Sequence, residues 1–326
     1  MRSLKIVGTG VSLPPKVLTN ADLAKIVDTS DEWIAERTGI RERRIAADDV
    51  STSDLCAEAL RNACDDASLR PSDLDVIIVG TSTTDTLFPS TACWVQDKLG
   101  LSGPAAFDVS AGCSGFLYAL ELASALVTAG TAARVGVVGG EAMSKVVNWK
   151  DRSTCVLFGD GAGAAIVTAG EDGSGVLASN WGADGTLAKI LQQPAGGSRQ
   201  PATHATVEAA AHTVHMDGST VFKHAVLAMT RAAMTAMEES KIGPDDVDVF
   251  IPHQANLRIM EIARKRVKVP AQKMVSIVHK YGNMSAATIP VALHEARQEG
   301  RIEDGSMVVM TAFGTGFTWG ASVLRW

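Results

Sequence analysis

Three residues, far apart in the chain, carry side chains whose chemistry could combine. Cys113 lies in "DVSAGCSGF" (108–116), His253 in "FIPHQANLRI" (250–259) and Asn283 in "YGNMSAA" (281–287). Cys113 follows an apolar segment and precedes a run that reads as helix. A thiol at a helix N-terminus meets backbone N–H groups and the positive end of the helix dipole, which favour the nucleophilic thiolate. Its neighbours Ala111, Gly112, Ser114 and Gly115 are small enough to let a substrate approach. The same features describe a buried cysteine packed at a helix start, and the local sequence leaves both readings open. His253 ends a strand-like run, at the carboxyl edge where α/β sheets place their sites. A neutral imidazole there donates to a developing oxyanion or shuttles a proton, although a lone histidine is more often structural. Asn283 at a helix start reads as a hydrogen-bond donor or simply as an N-cap.

The elements that must position these residues alternate. Strand-like runs at "DVIIVG" (75–80), "RVGVVGG" (134–140) and "AAIVTAG" (164–170) are separated by helical segments such as 54–67 and 114–129. That alternation predicts an α/β fold with mostly buried strands. The chain also resembles itself. "RPSDLDVIIVG" (70–80) aligns with "GPDDVDVFIPH" (243–253), with Pro71/Pro244, Asp73/Asp246, Asp75/Asp248, Val76/Val249 and Ile78/Ile251 identical. Helix-like segments 54–67 and 224–240 precede the two copies. "SAGCSGFLYALELASALVTAG" (110–130) follows the pattern of "KYGNMSAATIPVALHEARQEG" (280–300), which sets Cys113 against Asn283. "LFGDGAGAAIV" (157–167) and "AFGTGFTWGASVL" (312–324) share Phe-Gly-x-Gly before a strand. Three matches in one order predict two copies of one α/β unit, residues 1–170 and 171–326, with a loop-rich insertion over about 180–216. A two-fold relation between the copies brings the Cys113 and Asn283 helix starts together, with His253 on an adjacent turn. A nucleophile, a neutral donor pair and an anion site formed at the Gly314–Gly316 turn point to acyl transfer.

Composition narrows the remaining classes. The 326 residues are 46% hydrophobic and 20% charged, enough for two core-forming units of roughly 150 residues each. A net charge of −6 does not suggest a nucleic-acid partner. The five cysteines, Cys56, Cys64, Cys93, Cys113 and Cys155, form no C-x-x-C pair and no zinc-type cluster with histidine, so no metal is expected and the reduced cytoplasm is. The start "MRSLKIVGTGVSLP" lacks a signal-peptide apolar core. The apolar stretch from Gly115 to Gly140 is broken by Glu121 and Arg134, so no membrane span is expected. His204, His212 and His215 in the insertion read as solvated loop histidines.

At this point the motifs carry a family resemblance. "TSDEWIAERTGIRERRIA" (29–46), "FPSTACWVQDKLG" (88–100), "AGCSGFLYAL" (111–120), "FGDGAGAAI" (158–166), "IPHQANLRI" (251–259), "YGNMSAATIP" (281–290) and "AFGTGFTWG" (312–320) resemble β-ketoacyl-acyl-carrier-protein synthase III. That is the initiating condensing enzyme of bacterial fatty acid synthesis. The resemblance implies a thiolase-like fold, with two duplicated halves in a layered αβαβα arrangement, and a Cys113–His253–Asn283 triad. Cys113 would take the acyl group of an acyl-CoA primer. Malonyl-acyl-carrier protein would then lose CO2, with His253 and Asn283 donating to the enolate oxygen, and the carbanion would attack the acyl-cysteine. The oxyanion hole would be the N–H groups of Cys113 and the Gly314-Thr315 turn. Trp33 and Arg152 match residues that sandwich the adenine of CoA, with Arg37 in the same motif; Phe222 and Asn256 match the pantetheine tunnel. Phe88 matches a primer-pocket residue contributed across a homodimer interface. Arg258 and Lys265 share a face of the helix after His253 and would dock the acidic acyl carrier protein. No cofactor is implied, because the CoA thioester is itself a substrate.

The sequence departs from the family pattern at Met284, where a hydroxyl residue is usual and which is expected to reshape the pocket, and at Thr315, in a turn that is often all glycine. Segment 196–216 has no family match. A degradative thiolase is disfavoured because every cysteine lies at or before Cys155, and an elongating condensing enzyme because Asn283 stands where a second histidine would be. A papain-like protease lacks its C-G-S-C-W signature here. A secondary-metabolism relative with the same triad, an acyl-CoA hydrolase and a non-catalytic carrier-binding protein stay open, as does the length of the primer.

Overall fold

The computed structural model describes residues 3–170 and 173–326. Met1 and Arg2, in the start segment, and Glu171 and Asp172, where the two expected halves meet, lie outside the described residues. Strands β1 (Ser3–Ser12), β2 (Val76–Gly80), β3 (Ala105–Val109), β4 (Arg134–Ala142) and β5 (Asp160–Gly170) form one sheet. Helices α1 (Asp31–Thr38), α2 (Thr52–Asp66), α3 (Thr91–Lys98) and α4 (Gly115–Thr128) come from the same stretch of chain. A second sheet holds β6 (Gly175–Ala183), β7 (Val249–Pro252), β8 (Met307–Gly314) and β9 (Thr318–Arg325), together with helices α5 (Gly218–Glu239), α6 (Leu257–Val267) and α7 (Thr288–Gln298).

The sheets repeat one another. The first runs β1-β5-β4-β2-β3 and the second β6-β9-β8-β7. The parallel pair β2 with β4 matches the parallel pair β7 with β8, and in each sheet the next two pairs are antiparallel; the first sheet adds a second parallel pair, β2 with β3. The counterpart of β3 shrinks to a single bridge between Phe250 and Met274. The aspartates matched in sequence occupy matched places. The Asp75 carboxylate accepts from the N–H groups of Ala133 and Arg134, and the Asp248 carboxylate from that of Met307, each tying the entry of its strand, β2 or β7, to its parallel neighbour.

Between the sheets lie α4 and α7, while α2 covers the outside of the first sheet and α5, with α6 on it, the outside of the second. This is the expected αβαβα layering. Buried on both faces, β2 is continuously apolar (VIIVG) rather than alternating. The α4 residues Phe116, Leu117, Leu120, Ala123 and Val127 are all buried, a three-to-four-residue spacing that seats the helix between two apolar surfaces. Burying a Leu or Phe side chain there stabilises by roughly 2–3 kcal/mol. Two boundaries differ from the sequence reading. Helix α5 begins at Gly218 rather than near 224, because the Asp217 side chain caps it through Thr220 N–H. Strand β5 reaches back to Asp160, pairing its Gly-rich stretch with β4, where the sequence suggests a turn.

Candidate active site

Cys113 sits in a 3-10 turn, Gly112–Ser114, that runs directly into α4. Asn283 precedes another such turn, Ser285–Ala287, that runs into α7. The aligned glycines Gly112 and Gly282 have φ of +56° and +64°, a left-handed step that glycine takes without strain. The same backbone device is thus built twice, once presenting a thiol and once a carboxamide.

Both Phe-Gly-x-Gly segments close on these residues. Asn283 N–H donates to Leu157 C=O at 2.8 Å and its C=O accepts from Gly159 N–H at 3.1 Å, which clamps its backbone beside Phe158. The Asn283 Oδ1 accepts from Ser285 N–H at 2.8 Å, so the oxygen holds the start of the turn, as the N-cap reading expects. The second segment packs on Cys113 itself. A side-chain carbon at Gly314 would lie 2.7 Å from the Cys113 nitrogen, so only glycine allows that approach. The Thr315 hydroxyl donates to Leu191 C=O.

His253 follows β7 and is fully buried. Its Nδ1 lies 2.6 Å from the Thr288 hydroxyl, while its Nε2 is buried with no hydrogen-bond partner among the described residues. Burial lowers its pKa from 6.5 to about 3, so the imidazole is neutral. The Thr288 hydroxyl also reaches Ser285 C=O at 3.1 Å; in the tautomer in which it turns to Nδ1 instead, the ring proton sits on Nε2 and that nitrogen is a donor. The edge of its ring packs on Phe313, with centroids 5.4 Å apart.

Cys113 is 7% exposed. Burial pushes its thiol up to about 12, against a smaller lowering by the Ser285 hydroxyl beside it. The expectation of a thiolate stabilised at a helix start is therefore corrected for the resting protein: desolvation outweighs the helix terminus, and the sulfur holds its proton until a substrate arrives. Two cavities of about 90 Å³ each meet at Cys113. One is walled by Met143, Val146, Phe158, Val214 and the polar pair Thr83 and Ser285. The other runs past Asn283 and Phe313 to Phe222 and Asn256.

The remaining expected residues are distributed as follows. The guanidinium carbons of Arg37 and Arg152 lie 4.5 Å and 4.8 Å from the Trp33 ring centroid, so both rest on the indole. Asn256 caps α6 through Arg258 N–H and donates to Arg37 C=O, so its side chain joins α1 to α6 as well as lining the cavity. Arg258 is exposed and lies over the Phe222 ring at 5.6 Å. Lys265 is exposed farther along α6, whereas Arg264 is paired with Glu261 at 2.7 Å. Phe88 is 84% exposed beside Leu87 and lines neither Cys113 cavity of its own chain. Met284 is fully buried in the central core and lines neither cavity, so it does not reshape the pocket; its neighbour Asn283 turns inward while Met284 packs against Gly161.

Sequence reading missed part of the site. The insertion supplies a wall of the first cavity through Leu191, Gln193 and Val214, anchored by a two-strand pairing of Leu191–Gln192 with His215–Met216. His212 and His215 bond locally, to Thr206 and to Ala210 C=O. Glu141, Ser285 and Thr288 were also passed over. The signal for Glu141 was present: a single carboxylate inside the apolar run "RVGVVGGEA" that forms a fully buried strand interior. Among the described residues no cluster of His, Cys, Asp and Glu could hold a metal ion, and no helix is long and apolar enough to cross a membrane.

Comparison with known proteins follows this geometry. The family described as 3-oxoacyl-[acyl-carrier-protein] synthase III matches residues 107–185, and its C-terminal counterpart matches 237–326. A β-ketoacyl-[acyl-carrier-protein] synthase III of Caldanaerobacter subterraneus subsp. tengcongensis is 55% identical, covering 98% of this chain and 97% of that protein. The crystal structure of 3-oxoacyl-[acyl-carrier-protein] synthase III from Aquifex aeolicus superposes with a TM-score of 0.92 at 46% identity, covering 99% of this chain and all of the other. The priming β-ketosynthase of the R1128 polyketide pathway superposes with the same TM-score at 33% identity, over 99% and 96% of the two chains.

Proposed function

The chain belongs to the β-ketoacyl-[acyl-carrier-protein] synthase III family, and from that premise we propose how its residues divide the work. It is an acyltransferase-type condensing enzyme that initiates fatty acid synthesis. The observation that carries the assignment of roles is the meeting of two largely apolar cavities at Cys113, one walled by Met143, Val146 and Val214, the other running past Asn283 to Phe222 and Asn256.

Cys113 attacks the thioester carbonyl of an acyl-CoA primer; the sulfur–carbon bond forms, the CoA sulfur leaves, and the acyl chain occupies the first cavity. Malonyl-acyl-carrier protein then extends its pantetheine along the second cavity. His253 Nε2–H and the Asn283 amide donate to its thioester oxygen. As CO2 departs, the electron pair of the broken bond moves toward that oxygen, and a neutral donor pair stabilises the charge without trapping it by full protonation. The resulting carbanion attacks the acyl-cysteine carbonyl, whose oxyanion is held by the N–H groups of Cys113 and the Gly314-Thr315 turn. Collapse releases 3-oxoacyl-carrier protein and free Cys113. No cofactor takes part.

Trp33, Arg37 and Arg152 bind the adenine end of CoA. Phe222 and Asn256 flank the pantetheine. A homodimer is supported by the unpaired edge of β3, which carries exposed Phe107, and by the exposed tip Leu87-Phe88, which suits insertion into a partner's primer cavity. The two α/β units are taken as residues 1–170 and 171–326, and the location as the cytoplasm. The exposed cations Arg258 and Lys265 on α6, beside Phe222, fit docking of an acidic carrier protein. Arg258→Glu is expected to raise KM for malonyl-carrier protein about tenfold with KM for the acyl-CoA unchanged; an unchanged KM for the carrier protein would remove Arg258 from the dock.

A secondary-metabolism synthase with the same triad is the second reading, favoured by the likeness to the polyketide priming enzyme. The stronger identity to synthase III proteins favours the first. The deciding experiment offers a panel of acetyl-, branched and medium-chain acyl-CoA primers with malonyl-carrier protein, scoring the Cys113 adduct by intact mass and the condensed product. Adducts without a condensed product would sink the initiating-synthase reading.

A further inference from the structure

Glu141 is fully buried, yet the condensation chemistry as described does not use it. Its carboxylate accepts from Ser82 N–H, Thr83 N–H, the Thr81 hydroxyl, the Thr83 hydroxyl at 2.5 Å and the Ser285 hydroxyl at 2.8 Å. Five donors converge on one carboxyl group, the arrangement that suits an ionised carboxylate, which only accepts. Burial nevertheless raises its pKa, so a proton delivered to it would be retained more readily than by a solvated glutamate.

Ser285 joins this carboxylate to the nucleophile. Its hydroxyl donates to Glu141 Oε1, it lines the same cavity as Cys113, and the turn that carries it packs on the turn that carries Cys113. Its backbone N–H holds Asn283 Oδ1, and its φ of +46° is a conformation that residues with side chains rarely adopt. The other titratable groups near Glu141 are occupied or protonated. Asp85 accepts from Ser53, Asp108 from the N–H groups of Thr91 and Ala92, and Asp160 from Ser144 and Ala46. Cys56 of α2 has its thiol pushed well up by burial and by the Glu141 charge.

We propose that Cys113, Ser285 and Glu141 form a proton row, and that Glu141 stores the Cys113 proton for as long as the acyl-enzyme exists. The inference rests on the reading of Cys113 as the nucleophile. As the Cys113 sulfur bonds to the thioester carbon, its proton passes to Ser285 Oγ and the hydroxyl's own proton passes to Glu141 Oε1. The CoA sulfur departs with the electron pair of the broken carbon–sulfur bond and takes a proton from solvent, because a thiol is mostly protonated at neutral pH. In the second half-reaction Cys113 is expelled as thiolate and recovers its proton along the same row. Glu141 and Ser285 are positioning residues in this scheme, acting on substrate only through Cys113.

Proton counting tests it. The protein is mixed in weakly buffered solution at pH 7, with an indicator dye, with whichever primer of the panel acylates it fastest. Uptake is compared with acyl-enzyme measured by quenched intact mass. The expected result is one proton taken up per Cys113 acylated, together with a new carboxylic-acid C=O band in the infrared difference spectrum. Glu141→Gln and Ser285→Ala are each expected to acylate about 100-fold more slowly, with KM for the primer unchanged and no proton uptake. Acylation of the native protein without uptake would overturn the row, and so would uptake that persists in Glu141→Gln, which would put the proton on His253. If no primer acylates Cys113, the nucleophile assignment falls and this inference falls with it.

Discussion

Cys113→Ala is expected to carry no acyl group after exposure to any acyl-CoA, and its condensation rate to fall by about four orders of magnitude or more, as when a covalent nucleophile is removed. The protein should still release CO2 slowly from malonyl-carrier protein, because the donor pair proposed to polarise the thioester, His253 and Asn283, is intact. The loss would not reflect unfolding. Cys113 sits in a turn whose shape is set by Gly112 and by the packing of Gly314 on its backbone, not by the sulfur. Removing one buried sulfur atom costs on the order of 1 kcal/mol. Cys113→Ser is the sharper form of the test, since it keeps the volume and a hydroxyl. A serine there has an even less acidic proton than the thiol, whose burial already holds it at about 12, so acylation should be nearly as slow. Condensation at a tenth of the native rate in either variant would refute covalent catalysis at this residue.

The fold was legible because its signals were repeated. Pro71 and Pro244, Asp75 and Asp248, and the turns at Cys113 and Asn283 each recur, and each pair occupies equivalent places in the two sheets. A single Asn283 or His253 would have been ambiguous; the repeat is what set Asn283 against Cys113 in the sequence, and both line one cavity. The parts that stayed hidden depend on three-dimensional burial, which no local pattern records. The thiol's proton is one: a helix start favours the thiolate, but the depth of the cavity decides otherwise. The wall from Leu191 to Val214 is another, since its place over Cys113 is set by Thr315 holding Leu191 C=O and by Val214 N–H donating to Val146 C=O, contacts across long stretches of chain. Met284 failed for the same reason. Adjacent residues after a positive-φ glycine point in opposite directions, and the sequence alone did not tell which of Asn283 and Met284 faces the cavity.

His253→Ala and Asn283→Ala are expected to separate the two half-reactions. Each removes one donor to the enolate oxygen, so decarboxylation and condensation should fall by about 10²–10³-fold, the scale on which a single oxyanion donor acts. The Cys113 acyl adduct should still form, since neither group donates to the primer carbonyl in the scheme above. The double variant should lose less than the product of the two, because the donors act on one oxygen. Protonation gives an independent check. Folded His253 stays neutral down to about pH 3, whereas in the unfolded chain it protonates near 6.5. Condensation should therefore show no acid limb from His253 between pH 5 and 7. Stability should behave oppositely: the unfolded state binds the extra proton, so the native protein loses stability as pH falls from 6.5 toward 3. His253→Ala lacks that part of the loss, and urea titrations at pH 7 and pH 5 should show a smaller drop for the variant than for the native protein. An acid limb in condensation near pH 6.5 that vanishes in His253→Ala would mean that the imidazole titrates in the folded enzyme. In that case it would be a proton carrier rather than a fixed neutral donor, and a competitor to Glu141 for the Cys113 proton.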